Sequence, residues 1–197
     1  GTESWGATKT MLCSSLQTGC RQNSNLKNKC GIMTKSYSDL LETTRRNLLD
    51  GSALNPLTVV VKSENQGGFE SKIFARDHIL TADQPFGFRG TNLGFKPSEL
   101  LLAALAACQE VTWRLYAESL GIEIEDIAIE LRGIQDLRGF MGLDENIPSG
   151  FIEVEGDVKI TSSACASELL ELQKLVDKHC PVLDDLTRIV PVKLTLK

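Results

Sequence analysis

The segment that most constrains this 197-residue chain is an alanine- and leucine-rich run, Pro97-Ser98-Glu99-Leu100-Leu101-Leu102-Ala103-Ala104-Leu105-Ala106-Ala107-Cys108. Pro97 suits the first turn of a helix, where its missing N–H is not needed. No glycine or proline then interrupts the pattern before Gly121, a natural C-terminal stop. The spacing predicts one long helix from Pro97 to about Leu120. A helix this apolar must be covered on most of its sides. Its paired alanines, Ala103-Ala104 and Ala106-Ala107, allow close approach of a second helix or a sheet.

The flanking sequence predicts what covers it. Tyr37 to Leu49 has the period of a short amphipathic helix, stopped by Asp50-Gly51. Leu57-Thr58-Val59-Val60-Val61-Lys62 is β-branched and reads as a strand. Gln66-Gly67-Gly68 is a turn to a hairpin partner at Phe69–Arg76, and His78–Ala82 is a third extended piece. Residues 83–96 form a Gly- and Pro-rich loop. Beyond the central helix, Ile122–Ile134 and Phe151–Ile160 alternate, placing Ile127, Ile129 and Leu131 on one face, as in two antiparallel strands. Ser167 is the expected cap of a helix that ends near His179, because Pro181 disfavours helical backbone at Cys180. Leu183–Leu186 makes a further turn, and Ile189–Leu196 is the expected last strand. This order is α+β: antiparallel sheets packed around a long central helix.

Residues 1–35 are polar and without period. They read as a flexible or accessory tail, with Met33 as an alternative start, and residues 36–197 as a single domain. A net charge of −5 speaks against nucleic-acid binding. No apolar run is long enough to span a membrane, and the N-terminus lacks a signal-peptide core. Six cysteines without metal-finger spacing, in a chain with its own core patterns, indicate free thiols and a cytoplasmic location.

Two of those cysteines stand apart. Cys108 lies midway along the small-residue helix, and Cys180 falls at the Pro-broken end of the later one, in His179-Cys180-Pro181. Each is open to two readings: a small buried apolar residue, or half of a redox pair. The redox reading needs a cation to favour the thiolate. Arg89, in Phe86-Gly87-Phe88-Arg89-Gly90 just upstream, is the local candidate, and otherwise a solvated loop residue. An adjacent His179–Cys180 pair is poor metal-ligand geometry. Cys165 reads as a bystander, and Cys13, Cys20 and Cys30 have no recognisable role.

The 97–108 run, followed by Cys180-Pro181-Val182, resembles the OsmC/Ohr family (osmotically inducible protein C and organic hydroperoxide resistance proteins). Gln84-Pro85-Phe86-Gly87-Phe88-Arg89-Gly90-Thr91-Asn92 resembles the loop before that helix in the OsmC branch. The resemblance covers about residues 55–197. It implies an intertwined homodimer with active sites at the subunit interface, and a thiol peroxidase that needs no metal or organic cofactor. Cys108 matches the peroxidatic cysteine and Cys180 the resolving one. Arg89 matches the branch's arginine with a one-residue difference in spacing. The implied partners are a hydroperoxide substrate and an external thiol reductant.

One departure stands out. Peroxidase members carry a glutamate directly after the proline, and here that residue is Ser98. Glu99 is no simple substitute. At ~100° per residue it lies ~180° from Cys108 around the helix, against ~80° for Ser98. Ten residues also span ~15 Å of helix, so a group at 98 serves Cys108 mainly from a neighbouring helix. The departure opens two alternatives: a relative with weak or no peroxidase activity that binds a small apolar ligand, or a thiol redox sensor.

Overall fold

The computed structural model describes residues 36–196. The expected tail and Cys13, Cys20 and Cys30 lie outside the described residues. Helix α1 (Tyr37–Leu49) begins where Ser36 Oγ accepts from the backbone N–H of Ser38 (3.2 Å) and Asp39 (3.5 Å). Strands β1 (Lys62–Gly67), β2 (Glu70–Ala75) and β3 (His78–Ala82) form an antiparallel meander, with Lys62 opposite Phe74 and Ser71 opposite Ala82. The β1–β2 turn requires glycine: Gly67 and Gly68 have φ of 119° and 54°. Asn65 Nδ2 bridges that turn by donating to the carbonyls of Gly68 and Glu70, 3.1 Å each.

The long helix is present as α2, Pro97–Ser119. Glu99 Oε2 accepts from the backbone N–H of Lys96 at 2.8 Å, so this carboxylate is committed to closing the helix start. Strands β4 (Asp126–Gln135) and β5 (Phe151–Thr161) pair antiparallel, from Asp126 opposite Thr161 to Gln135 opposite Phe151. Ile127, Ile129 and Leu131 alternate inward as the pattern requires, while Arg132 pairs with Glu130, Glu155 and Asp157 on the exposed face. The connection holds a single turn of helix, α3 (Leu137–Phe140), that the sequence pattern did not anticipate.

Helix α4 (Ala166–His179) starts one residue before the expected cap. Cys165 is its N-cap, and its backbone N–H donates to Glu168 at 2.8 Å, while Ser167 is already inside the helix. A carboxylate three residues on offered the backbone a stronger acceptor than a hydroxyl. Helix α5 (Pro181–Thr187) follows at once, with Pro181 in its first turn. The core joins α2, α4 and the β4–β5 sheet. Trp113, Ala117, Leu172 and Val176 are buried together, with Tyr116, Ile122, Ile127 and Ile160 packed against them.

Two expected strands are not strands within one chain. Residues 57–61 precede β1 without pairing, and residues 189–196 form no ladder. Both have strand-type sequence, but a strand exists only against a partner edge, and no described segment supplies one. Val59 is 80 % exposed and Leu194 92 %. The β1–β3 sheet likewise makes no extensive contact with any helix, and Ala103, Ala104, Ala107 and Val111 of α2 are left exposed. No helix among the described residues is long and apolar enough to cross a membrane.

Candidate functional site

Cys108 lies near the middle of α2 and is half-buried; Cys180 is wholly buried at the joint between α4 and α5. The joint follows from Pro181, which holds Cys180 in extended backbone (φ −75°, ψ 113°) and turns its chain toward α2. Leu172, Val176 and Cys180 recur every four residues, so one buried stripe carries the thiol to the α2 surface. Both cysteines are free thiols. Burial pushes the Cys180 thiol above its ordinary range. The nearby sulfur of Cys108 raises it further, against lowering hydrogen bonds from the backbone of Leu183 and Val182. The fold thus brings together two cysteines 72 positions apart, one reachable from outside and one protected behind it.

Arg89 makes no side-chain hydrogen bond or ion pair with either thiol among the described residues. It is exposed, closes a 3-10 turn at Phe86–Phe88, and joins none of the ion pairs formed among the described residues. Its backbone is left-handed, at φ 61° and ψ 20°. That conformation is uncommon for a non-glycine residue and is maintained only where surrounding structure enforces it. Around it, the Arg89 N–H donates to the Phe86 carbonyl at 2.9 Å and the Gly90 N–H to the Pro85 carbonyl at 3.3 Å, while the flanks of the loop are gathered by Asp83, which sequence reasoning missed. Its buried carboxylate accepts from the Thr91 hydroxyl (2.6 Å) and from the backbone N–H of Gln84 (2.7 Å), Thr91 (2.9 Å) and Leu93 (3.1 Å). The Thr91 hydroxyl leads these bonds in lowering the Asp83 pKa to about 2. The available signal was an aspartate between a strand and a Gly/Pro-rich loop, a place where carboxylates gather loop N–H groups.

Ser98 lines a cavity of about 420 Å³ between the Arg89 loop and the β4–β5 connection. Phe69, Phe88, Phe140 and Met141 supply apolar walls, and Lys96 the cation. His179 is stacked on Tyr116 at 5.2 Å between ring centroids, within the helical packing. Cys165 is exposed, 3.0 Å from the Ser167 hydroxyl.

The family model for OsmC-like proteins matches residues 90–195, which include α2 and both Cys108 and Cys180. This chain belongs to the OsmC-like family. Its fold agrees with solved members. An OsmC-like protein from Mycoplasma pneumoniae is 24 % identical with a TM-score of 0.58, the match covering 66 % of this chain and 88 % of the other. An organic hydroperoxide resistance protein OsmC from Legionella pneumophila is 20 % identical with a TM-score of 0.51, over 68 % and 92 %. An OsmC-like protein of unknown function from Vibrio cholerae is 13 % identical with a TM-score of 0.53, over 68 % and 95 %. No curated protein matches the chain.

Proposed function

We propose that this OsmC-like protein is a homodimeric, thiol-dependent peroxidase of organic hydroperoxides, working in a reducing cytoplasm. The observation that carries the reading is the meeting of a reachable thiol, Cys108, with a buried one, Cys180. The name of the Legionella pneumophila neighbour points the same way.

The chemistry follows from unequal access. The Cys108 thiolate attacks the outer oxygen of the hydroperoxide, the O–O bond breaks, and the alkoxide takes a proton from water to leave as alcohol. Cys108 is then a sulfenic acid. The Cys180 thiol, held protonated by its burial, gives up its hydrogen as its sulfur displaces water and closes a disulfide. An external dithiol reopens it, taking the two oxidising equivalents. No step needs a metal or an organic cofactor.

The second subunit supplies what one chain lacks. A free apolar face on α2, two unpaired strand-type segments and a sheet without a helix to cover it all call for a partner. Arg89 then approaches the thiols from that partner, where a cation favours the thiolate. The cavity at Ser98 supports organic substrates. Burying two additional CH₂ groups is worth ~1.6 kcal/mol, about tenfold in binding. Cumene hydroperoxide should therefore be consumed at least about tenfold faster than hydrogen peroxide.

The test is peroxide consumption by the purified full chain with dithiothreitol as reductant. Cys108-dependent turnover supports the reading. Thiols inert to both peroxides, with an apolar molecule retained in native mass spectrometry, would instead support the ligand-binding relative to which the Ser98 departure points. A disulfide that forms but that no thiol reductant reopens would indicate a sensor.

A further inference from the structure

The loop between β3 and α2 is closed at its base by one side chain. Its exposed tip closes on itself, the Phe88 and Arg89 N–H groups donating to the carbonyls of Pro85 and Phe86 at 2.9 Å each. Those local bonds do not set where the tip sits relative to β3. Asp83 does. The Gln84 N–H before the tip, and the Thr91 N–H, Thr91 hydroxyl and Leu93 N–H after it, all converge on its carboxylate. The Asp83 N–H donates in turn to the Phe95 carbonyl at 3.0 Å, at the far end of the loop. Asp83 is only 2 % exposed and joins none of the ion pairs formed among the described residues. A carboxylate buried without a cation is costly unless hydrogen bonds hold it. Asparagine would not serve in its place. Oδ2 alone takes three of the four donors, and an amide NH₂ in place of Oδ1 would face the Gln84 N–H, donor against donor. Arg89 and Asn92 are both left-handed, at φ 61° and 55°. A Cβ on Gly90 would overlap the Gln84 carbonyl, and one on Gly94 the Thr81 carbonyl. Crowding of this kind persists only where the surroundings impose one conformation, and it gathers at functional sites. The side chain displayed at the tip is Arg89.

We propose that Asp83 is a positioning residue for the Cys108 reaction: its carboxylate clasps the loop across its base and so presets where Arg89 is presented to the thiol. A cation already in place spares the reaction the cost of ordering a loop each time. Asp83 acts only through the loop it holds. The role suits a site in which Ser98 replaces the carboxylate that the family resemblance leads one to expect beside the arginine. It rests on the peroxidase reading and on the approach of Arg89 from the second subunit.

The experiment is a double-mutant cycle on the full chain, with Asp83→Asn, Arg89→Gly and the two together. Two stopped-flow rates are measured across pH: oxidation of Cys108 by cumene hydroperoxide, and its alkylation by iodoacetamide, which needs no peroxide. Asp83→Asn should slow oxidation and move the alkylation profile to higher pH, as Arg89→Gly does. The double variant should lie within about twofold of Arg89→Gly alone, because one change removes the group that the other misplaces. Thr91→Val, which deletes only the hydroxyl donor, should move both readouts the same way by less, and it serves as the comparison should Asp83→Asn lose its melting transition. Wild-type rates in Asp83→Asn would overturn the proposal. So would losses that multiply in the double variant, the mark of a general structural role. An alkylation profile that follows Asp83 and Arg89 in a protein that never reacts with peroxide would support the clasp and overturn the peroxidase reading.

Discussion

At the scale of single residues, the division of work proposed for the two thiols follows from their different surroundings. Cys108 is accessible and Cys180 is not. Cys108→Ser should abolish peroxide consumption, whereas Cys180→Ser should leave the first oxidation intact and let the sulfenic acid persist, as dimedone trapping followed by mass spectrometry would detect. Arg89 separates backbone from side chain. Its left-handed φ costs a non-glycine residue about 1–2 kcal/mol, so Arg89→Gly should melt no lower than wild type. The same change should cut the oxidation rate markedly, because the cation that favours the thiolate is removed. Asp83 gives a pH signature. Its folded pKa is depressed to about 2 from 3.8, so its contribution is complete above pH 4 and disappears as pH falls toward 2. Thermal melts between pH 5 and 2 should fall more steeply for wild type than for Asp83→Asn. Cys108, Cys180 and Arg89 were all legible as candidates because each sits beside local punctuation: an alanine run, a proline, a pair of glycines. Asp83 was not, since what distinguishes it is the set of loop N–H groups it gathers from residues 84, 91 and 93, which meet only once the loop is folded.

At the scale of elements, local patterning was sufficient wherever a segment satisfies its own backbone or pairs with a neighbour in sequence. Helix α2 was bounded by Pro97 and the Gly121 stop, and β4–β5 by the alternation of Ile127, Ile129 and Leu131. It was insufficient where pairing requires a distant edge, as for residues 57–61 and 189–196, and where two caps compete, as at Cys165 and Ser167. The elements also differ in tolerance. Leu172 is fully buried between α4 and α2, and Leu172→Ala should cost about 2–5 kcal/mol in chemical denaturation. Gly90 has no room for a side chain, because a Cβ there would overlap the Gln84 carbonyl. Gly90→Ala should therefore shift the Arg89 loop and lower the oxidation rate, with a smaller effect on global stability than Leu172→Ala.

At the scale of the whole molecule, the proposed dimer rests on what the described residues of one chain leave uncovered. Its core occupies the side of α2 that faces α4 and β4–β5, while the β1–β3 sheet, the alanine face and the C-terminal segment are uncovered. Pairing of that segment with a second copy would complete both the sheet edges and the site. Leu194→Asp should then weaken the dimer in sedimentation or light scattering and lower activity in parallel, although residue 194 touches neither thiol in the chain. Whether Cys108 and Cys180 form one peroxide-driven redox couple is read from peptide mapping of the reduced full chain after one equivalent of cumene hydroperoxide. The expected product is lighter by two hydrogens, with the Cys108 and Cys180 peptides joined within the same chain and reopened by dithiothreitol. A chain left fully reduced, or one oxidised at other cysteines while Cys108 and Cys180 stay free, would contradict it.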